Sequence, residues 1–324
     1  LRTAYGAIKA ADPSARVVFG AVAYDRFSGN PDFDPPGPFS FSFVRDVITA
    51  LKQTHGSEPG WPFFDVLGFH NYSDFRNNWD GEGGRDPEIV GKAARLRADQ
   101  LTVPGVFDLS HIPLLASEIG IPSGPPDVYT QRNETYQAAY VGQVMIRSAA
   151  ARLQAAIWFS ASDRATGDCA DPYAWLAHGL LRTRFVADRL RLCEPSPLPG
   201  YTATLRFEPK PAVTAFRTMG QLLGGATYGR QLTVDEVDRD NIEAHLFTLA
   251  DGRAALAAFT DNGERLGRKG WPDLVRSLRI DRNILPGFTG TVQVIDYFGN
   301  TSTRTGESIS VSLSYQPVYI VVVP

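Results

Sequence analysis

This 324-residue sequence is short of several features that would place a protein in a familiar class. Cysteine occurs only twice, as Cys169 and Cys193, and never as Cys-x-x-Cys, which excludes zinc ribbons and dithiol redox motifs. The pair falls in a Pro- and Gly-rich stretch, where it suits one loop-stapling disulfide in an exported protein or two free thiols in a cytosolic one. Positive charge is not in excess: 32 Lys and Arg face 35 Asp and Glu. The resulting net charge of −3 offers no field to hold a nucleic-acid backbone or an anionic bilayer. No apolar run approaches the roughly 18 to 20 residues that cross a membrane, and Val321-Val322-Val323 reads as the end of a strand. There is no Gly-x-Ser-x-Gly elbow, phosphate loop or His-x-x-x-His pair. His55, His70, His111, His178 and His245 show no metal spacing, and the acidic, Gly-rich stretch from Asp80 to Asp86 lacks the ligand order of a calcium loop. No cofactor or metal is implied.

What the sequence does have is apolar content, at 43% enough for two buried cores. Leu1, Ala4, Tyr5, Ile8 and Ala11 share a helical face that Asp12-Pro13 stops. A helix already under way at Leu1, with no signal peptide before it, reads as a truncated chain, for which an extracellular or periplasmic location is expected.

The first two thirds alternate β-rich runs with helical patterns, the signature of βα units around a parallel sheet. Strands are expected at Val17 to Ala23, Phe64 to His70, Pro113 to Glu118 and Ala155 to Phe159. The first helix carries Phe43, Val44, Val47, Ile48 and Leu51 on one face, and the second starts at Asp86-Pro87. The third turns Tyr136, Tyr140, Val141, Val144, Met145 and Ser148 inward. The fourth comes only after a long irregular excursion, beginning at Pro211 with Val213, Phe216, Met219 and Leu223 on its face and ending at Gly224-Gly225. From Thr227 onward, short alternating strands separated by turns such as Asp251-Gly252, Asp261-Asn262-Gly263 and Gly299-Asn300 predict an antiparallel sandwich of about seven strands. Residues 1–225 and 226–324 are the expected domains.

Parallel barrels gather their chemistry at the C-terminal ends of the strands. Those ends carry His70-Asn71-Tyr72, Glu118-Ile119-Gly120 and Trp158-Phe159-Ser160. Singly, each has a bland explanation: a helix-capping glutamate, a core histidine, a rim tyrosine, a core tryptophan. Occurring together at successive strand ends, they predict one site. A carboxylate such as Glu118 can attack the anomeric carbon of a sugar if it is ionised, and a phenol and an imidazole are suitable donors to it. Tyr72 and His70 fit that role, while the indole of Trp158 offers an apolar face to a pyranose ring. Phe75, Trp79, Tyr173 and Trp175, in the loops of the same rim, are candidate sugar platforms or the packing beneath those loops.

These residues resemble clan A of the glycoside hydrolases, most closely its β-xylosidase and α-L-iduronidase branch and the cellulase-like enzymes. The resemblance runs from Tyr5-Gly6-Ala7-Ile8-Lys9-Ala10-Ala11-Asp12-Pro13 to Pro317-Val318-Tyr319-Ile320. Asp65 to Tyr72 is similar to the sixth barrel strand, Leu114 to Gly120 to the seventh with its nucleophile glutamate, and Ala156-Ile157-Trp158 to the eighth. Gly179-Leu180-Leu181 and Lys210-Pro211-Ala212 match the approach to the last helix. The resemblance implies an α/β fold, the C-terminal half of a (β/α)8 TIM barrel followed by a small β-sandwich, and a retaining glycosidase acting on O-glycosidic bonds with Glu118 as nucleophile and His70, Tyr72 and Trp158 on the carbohydrate substrate. It departs from the clan in lacking strands one to four and the asparagine-glutamate acid/base, which would precede Leu1. Asp25 and Asp163 lie on the expected rim, each more readily a substrate or structural residue than a replacement acid. The competing readings are a non-catalytic carbohydrate-binding relative, and a structural surface protein that uses only the sandwich and leaves the rim unexplained.

Overall fold

Apolar residues at helical and at alternating spacing segregate along the chain, and each set finds its own partners. The computed structural model describes residues 1–23, 42–72, 89–123, 133–163, 178–186, 204–238, 241–260 and 274–323. They form two compact units, Leu1–Ile119 with Arg147–Trp158, and Gly120–Ile146 with Phe159–Pro324.

The first unit is built on a parallel sheet. In chain order it contains α1 (Arg2–Ala11), β1 (Val18–Val22), α2 (Phe43–His55), β2 (Val66–Tyr72), α3 (Ile89–Arg95), the short pair β3 (Thr102–Val103) and β4 (Phe107–Asp108), β5 (Leu114–Gly120) and β6 (Ala155–Trp158). The strand order is β1-β2-β5-β6, strictly sequential, as successive right-handed βα units produce. Helix α4 (Glu134–Ala150) joins β5 to β6 and carries the chain through both units. The expected strands and helices have counterparts here, with β2 and β5 each running about two residues further than the apolar pattern suggested, through His70-Asn71-Tyr72 and Glu118-Ile119-Gly120, while the Asp86-Pro87 helix start and the Asp261-Asn262-Gly263 turn lie outside the described residues.

Central and edge strands differ in burial. Leu67 and Phe69 on β2 and Leu114, Ala116 and Ile119 on β5 are fully buried, the larger side chains each stabilising the unit by about 1.5–3 kcal/mol. On the edges, Val18 is 40% exposed and Ile157 51%. Helix α2 buries Val44 and Ile48 but leaves Phe43 exposed, so only part of its apolar face is covered. Gly68 is required where β1 bulges against β2: Gly20 there adopts φ +58, and a Cβ on Gly68 would lie 2.5 Å from the Gly20 carbonyl oxygen.

The second unit contains β7 (Leu181–Val186), β8 (Thr204–Pro209), α5 (Pro211–Leu223), β9 (Thr227–Gln231), α6 (Val234–Val237), β10 (Ile242–Thr248), β11 (Ala254–Thr260), β12 (Arg276–Ile280), β13 (Thr291–Asp296), β14 (Thr301–Thr305), β15 (Ile309–Leu313) and β16 (Val318–Val322). A six-stranded antiparallel sheet, ordered β14-β13-β16-β11-β10-β9, shares one apolar core with the antiparallel pair β12-β15. Ala244, Leu256, Val292 and Ile320 from the large sheet meet Leu278, Ile280, Val311 and Leu313 from the small one. The opposite face of the large sheet takes the N-terminal part of α4, where a Cβ on Gly142 would touch Pro317 at 3.1 Å and the Tyr319 hydroxyl at 3.4 Å. Gln137 and Gln143 of that helix are buried and donate to backbone carbonyls of Ile121, His178 and Tyr315, which makes polar residues tolerable inside.

Two expectations fail here. The excursion before α5 contains an ordered antiparallel hairpin, β7 with β8, in register from Leu181↔Pro209 to Val186↔Thr204. Helix α5 buries its small residues Ala212, Ala215 and Thr218 and leaves Phe216 exposed, because a narrow face permits closer backbone approach than the bulkier stripe read from spacing. No helix among the described residues is long and apolar enough to cross a membrane.

Candidate active site

His70 and Tyr72 stand two residues apart near the C-terminal end of β2, so they share one face of the sheet. Glu118 stands at the corresponding end of the adjacent strand, β5. The two strands are tied at both ends of their contact, by the Leu67 amide donating to the Pro113 carbonyl at 3.0 Å and the Ser117 hydroxyl donating to the Phe69 carbonyl at 3.1 Å.

This brings three of the four sequence-predicted residues together. The Tyr72 hydroxyl donates to Glu118 Oε2 at 2.5 Å, and His70 Nδ1 lies 3.5 Å from the same oxygen. The His70 and Tyr72 rings meet edge to face at 6.4 Å. Glu118 Oε1 makes no hydrogen bond among the described residues. The side chains of Glu118 and His70 are 34% and 23% exposed, so reagents can reach the carboxylate while its hydration is partly replaced by fixed donors. The fourth residue, Trp158, ends β6, and its register partner on β5 is Ile119, immediately after the glutamate. Chemically, a carboxylate with one oxygen held by a phenol and the other open is oriented for attack on an electrophilic carbon.

The chain resembles no protein-family model and no curated protein sequence closely enough to match. Among solved structures it is similar to the catalytic domain of GH30 xylanase C from Talaromyces cellulolyticus, at 14% identity and a TM-score of 0.44, over 99% of this chain and 55% of that one. It is also similar to the GH51 arabinofuranosidase from Xanthomonas axonopodis pv. citri, at 11% identity and a TM-score of 0.43, over 86% and 56%. A family 5 glycoside hydrolase from Bacteroides vulgatus matches at 14% identity and a TM-score of 0.35, over 82% and 53%. The chain thus spans about half the length of the solved structures it matches.

Asp163 turns out to be held by a buried cation. Its Oδ1 accepts from Lys210 Nζ at 2.6 Å and from the Gly179 amide at 2.9 Å, and Lys210 also donates to Ser123 Oγ at 2.8 Å. The lysine side chain is 1% exposed and the aspartate 16%. Burial pushes the Asp163 carboxyl up and the Lys210 ammonium down, and in each case the partner's charge and hydrogen bond oppose it. With the Lys210 ammonium and the Gly179 amide donating to the carboxylate, and Ser123 accepting from the lysine, the ionised pair is the state these atoms accommodate. Nearby, Arg182 bridges Glu134, at 2.5 and 2.6 Å, and Glu208, at 3.2 Å. The sequence offered Lys210 only as a helix start; its burial had no local signal. Asp25, Phe75, Trp79, Tyr173, Trp175, Cys169 and Cys193 lie outside the described residues. Among the described residues no group of three or more His, Cys, Asp and Glu is placed to hold a metal ion.

Proposed function

We propose that this chain carries the nucleophile half of a retaining glycoside hydrolase, with Glu118 attacking the anomeric carbon and His70, Tyr72 and Trp158 on the carbohydrate substrate. The observation that carries this reading is the Glu118 carboxylate at a strand's C-terminal end, one oxygen held by Tyr72 and the other open. The phenol orients the carboxylate and stabilises its charge before attack, and would return to the same oxygen when water cleaves the glycosyl ester. A second carboxyl about 5 to 5.5 Å away must protonate the leaving group. In this reading it comes from a strand outside the four present.

The sequential order β1-β2-β5-β6 favours half a (β/α)8 barrel over a doubly wound sheet, whose strand order reverses. Exposed Val18 and Ile157 on the two edges are where further strands would cover it. The antiparallel sheets would then be the accompanying sandwich, with residues 1–225 and 226–324 as the domains and an extracellular or periplasmic location. The test compares this chain with a version extended to a full barrel on aryl glycosides of xylose, glucose, arabinose and uronic acid. Turnover by the longer protein, lowered at least about a thousandfold by Glu118→Gln, is expected. Retained turnover in that variant overturns the assignment of Glu118, and sugar affinity without turnover favours a binding relative.

A further inference from the structure

Opposite the end of the sheet that carries Glu118, the segments leading into the parallel strands enclose an open cleft of roughly 710 Å³. Its lining is basic. Arg16 leads into β1, His111 and Ser110 precede β5, Arg152 and Gln154 precede β6, and Arg97 comes from the turn after α3. No carboxylate lines it. Two acids stand at its margin: Asp65 accepts from Lys9 at 2.9 Å and from the Val17 amide at 2.7 Å and also feels the charge of Arg16, and Asp108 accepts from the amide and hydroxyl of Ser110 and feels that of His111.

The three arginines are unequally committed. Arg97 donates to the carbonyls of Ala151 and Arg152 at 3.1 and 3.3 Å, covering the negative end of α4 that would otherwise repel an anion. Arg16 makes only long contacts, 3.4 Å each, to the Asp65 carbonyl and to Gln154 Oε1. The Arg152 side chain makes no hydrogen bond or ion pair among the described residues. The Arg97 guanidinium is pushed below its ordinary value by burial first and then by the charge of Arg152, a repulsion that an anion between them would relieve.

Arg152 also occupies a backbone position that suits glycine. It sits at φ +52 after α4, with the Leu153 amide donating to the Ser148 carbonyl at 3.1 Å and its own amide to that of Ala149 at 3.0 Å. That is the left-handed cap in which glycine is the unstrained residue. Strain held by an otherwise uncommitted arginine, aimed into a basic cleft, points to a ligand.

We propose that this cleft binds a tetrahedral dianion, the phosphate or sulfate group of a small molecule, with Arg152 and Arg16 as its main donors and His111 at its side. Arginine forks match such oxygens geometrically, and no carboxylate among the described lining residues is paired with Arg152. The site is independent of the chemistry at Glu118. Calorimetric titration of the chain with inorganic phosphate and with sulfate, at ionic strength matched by chloride, should give saturable binding. Arg152→Gly should weaken it at least about tenfold while leaving thermal stability without ligand equal or higher, because glycine relaxes the cap. Arg16→Gln should weaken it too, without touching that backbone. Glucose 6-phosphate and N-acetylglucosamine 6-sulfate separate the sources: tighter binding of the first supports a phosphorylated sugar, of the second a sulfated glycan. No saturable heat with any of these anions, or equal affinity in both variants, overturns the site.

Discussion

Replacing Lys210 by methionine should expose how much the second unit depends on one buried charge. The substitution keeps an unbranched side chain of similar length but removes the ammonium from Asp163 Oδ1, at 2.6 Å, and from Ser123, at 2.8 Å. Asp163 would keep the Gly179 amide, at 2.9 Å, as its remaining donor among these contacts. Removing one partner of a buried pair destabilises by about 3–5 kcal/mol, and the 16% exposure of Asp163 argues for the lower end. At about 3 kcal/mol the unfolding midpoint should fall by roughly 6–12 °C. Asp163→Asn alone leaves the lysine charged and dry, so it should destabilise similarly. The double variant should recover most of the loss, since a neutral amide still accepts from Gly179 and no charge remains buried. Thermal and urea unfolding followed by circular dichroism give the four corners of the cycle, and a double variant that has lost only about 1 kcal/mol corresponds to a coupling of about 5 kcal/mol. A loss under about 1 kcal/mol for Lys210→Met, or no recovery in the double variant, refutes the structural role. So would an Asp163→Asn protein of full stability that has lost glycosidase turnover, because the carboxylate would then be acting on substrate.

Three further outcomes are expected. Tyr72→Phe removes the donor to Glu118 Oε2; under the proposed glycosidase reading it should lower kcat/KM for aryl glycosides by roughly 10- to 150-fold with little change in folding stability, and an unchanged kcat/KM would deny the phenol its role. Gly68→Ala places a Cβ 2.5 Å from the Gly20 oxygen and 3.0 Å from Val18 Cγ1; strand β1 must move, and a stability loss of about 1–3 kcal/mol should appear by denaturant titration. Glu236, in the capping box with Thr233, is held down to about 2 from an ordinary 4.5, first by its hydrogen bonds with Arg230 and then by the Thr233 amide. A depressed carboxyl stabilises the fold above its unfolded value and loses that contribution as pH falls from about 4.5 toward 2. The contribution should be about 1–2 kcal/mol, a helix cap plus a bidentate surface pair, and Glu236→Gln should flatten the acid limb of the stability curve. An unaltered limb in that variant would refute the pairing.

Much of the architecture was legible because local periodicity and burial agree. Val66 to Phe69 and Leu114 to Ala116 are apolar runs that only a strand covered on both faces requires, and α2 and α4 carry their buried stripes openly in the sequence. Turn residues did the same for the antiparallel strands: Gly252 and Gly299 both take positive φ where turns were expected. The proximity of Glu118, His70 and Tyr72 could also be expected from the strand ends, because strand periodicity and parallel pairing fix which side chains can share a face and a rim. The fate of Asp163 was not legible. Its partner lies 47 positions away in sequence, and an acidic residue in the segment after a strand looks the same whether it faces a substrate or a buried lysine. The α5 face was misread because Phe216 and Ala215 fit a helical stripe equally well, and only the neighbour decides whether bulk or close approach prevails. The basic cleft escaped notice for the same reason: Arg16, Arg97 and Arg152 are scattered in a chain of net negative charge, and tertiary folding alone gathers their fields into one place. Sequence thus determined which segments become strands and helices, through local sterics and hydrophobic spacing. Tertiary structure decided which charges meet, because electrostatic partners act through space and carry no period along the chain.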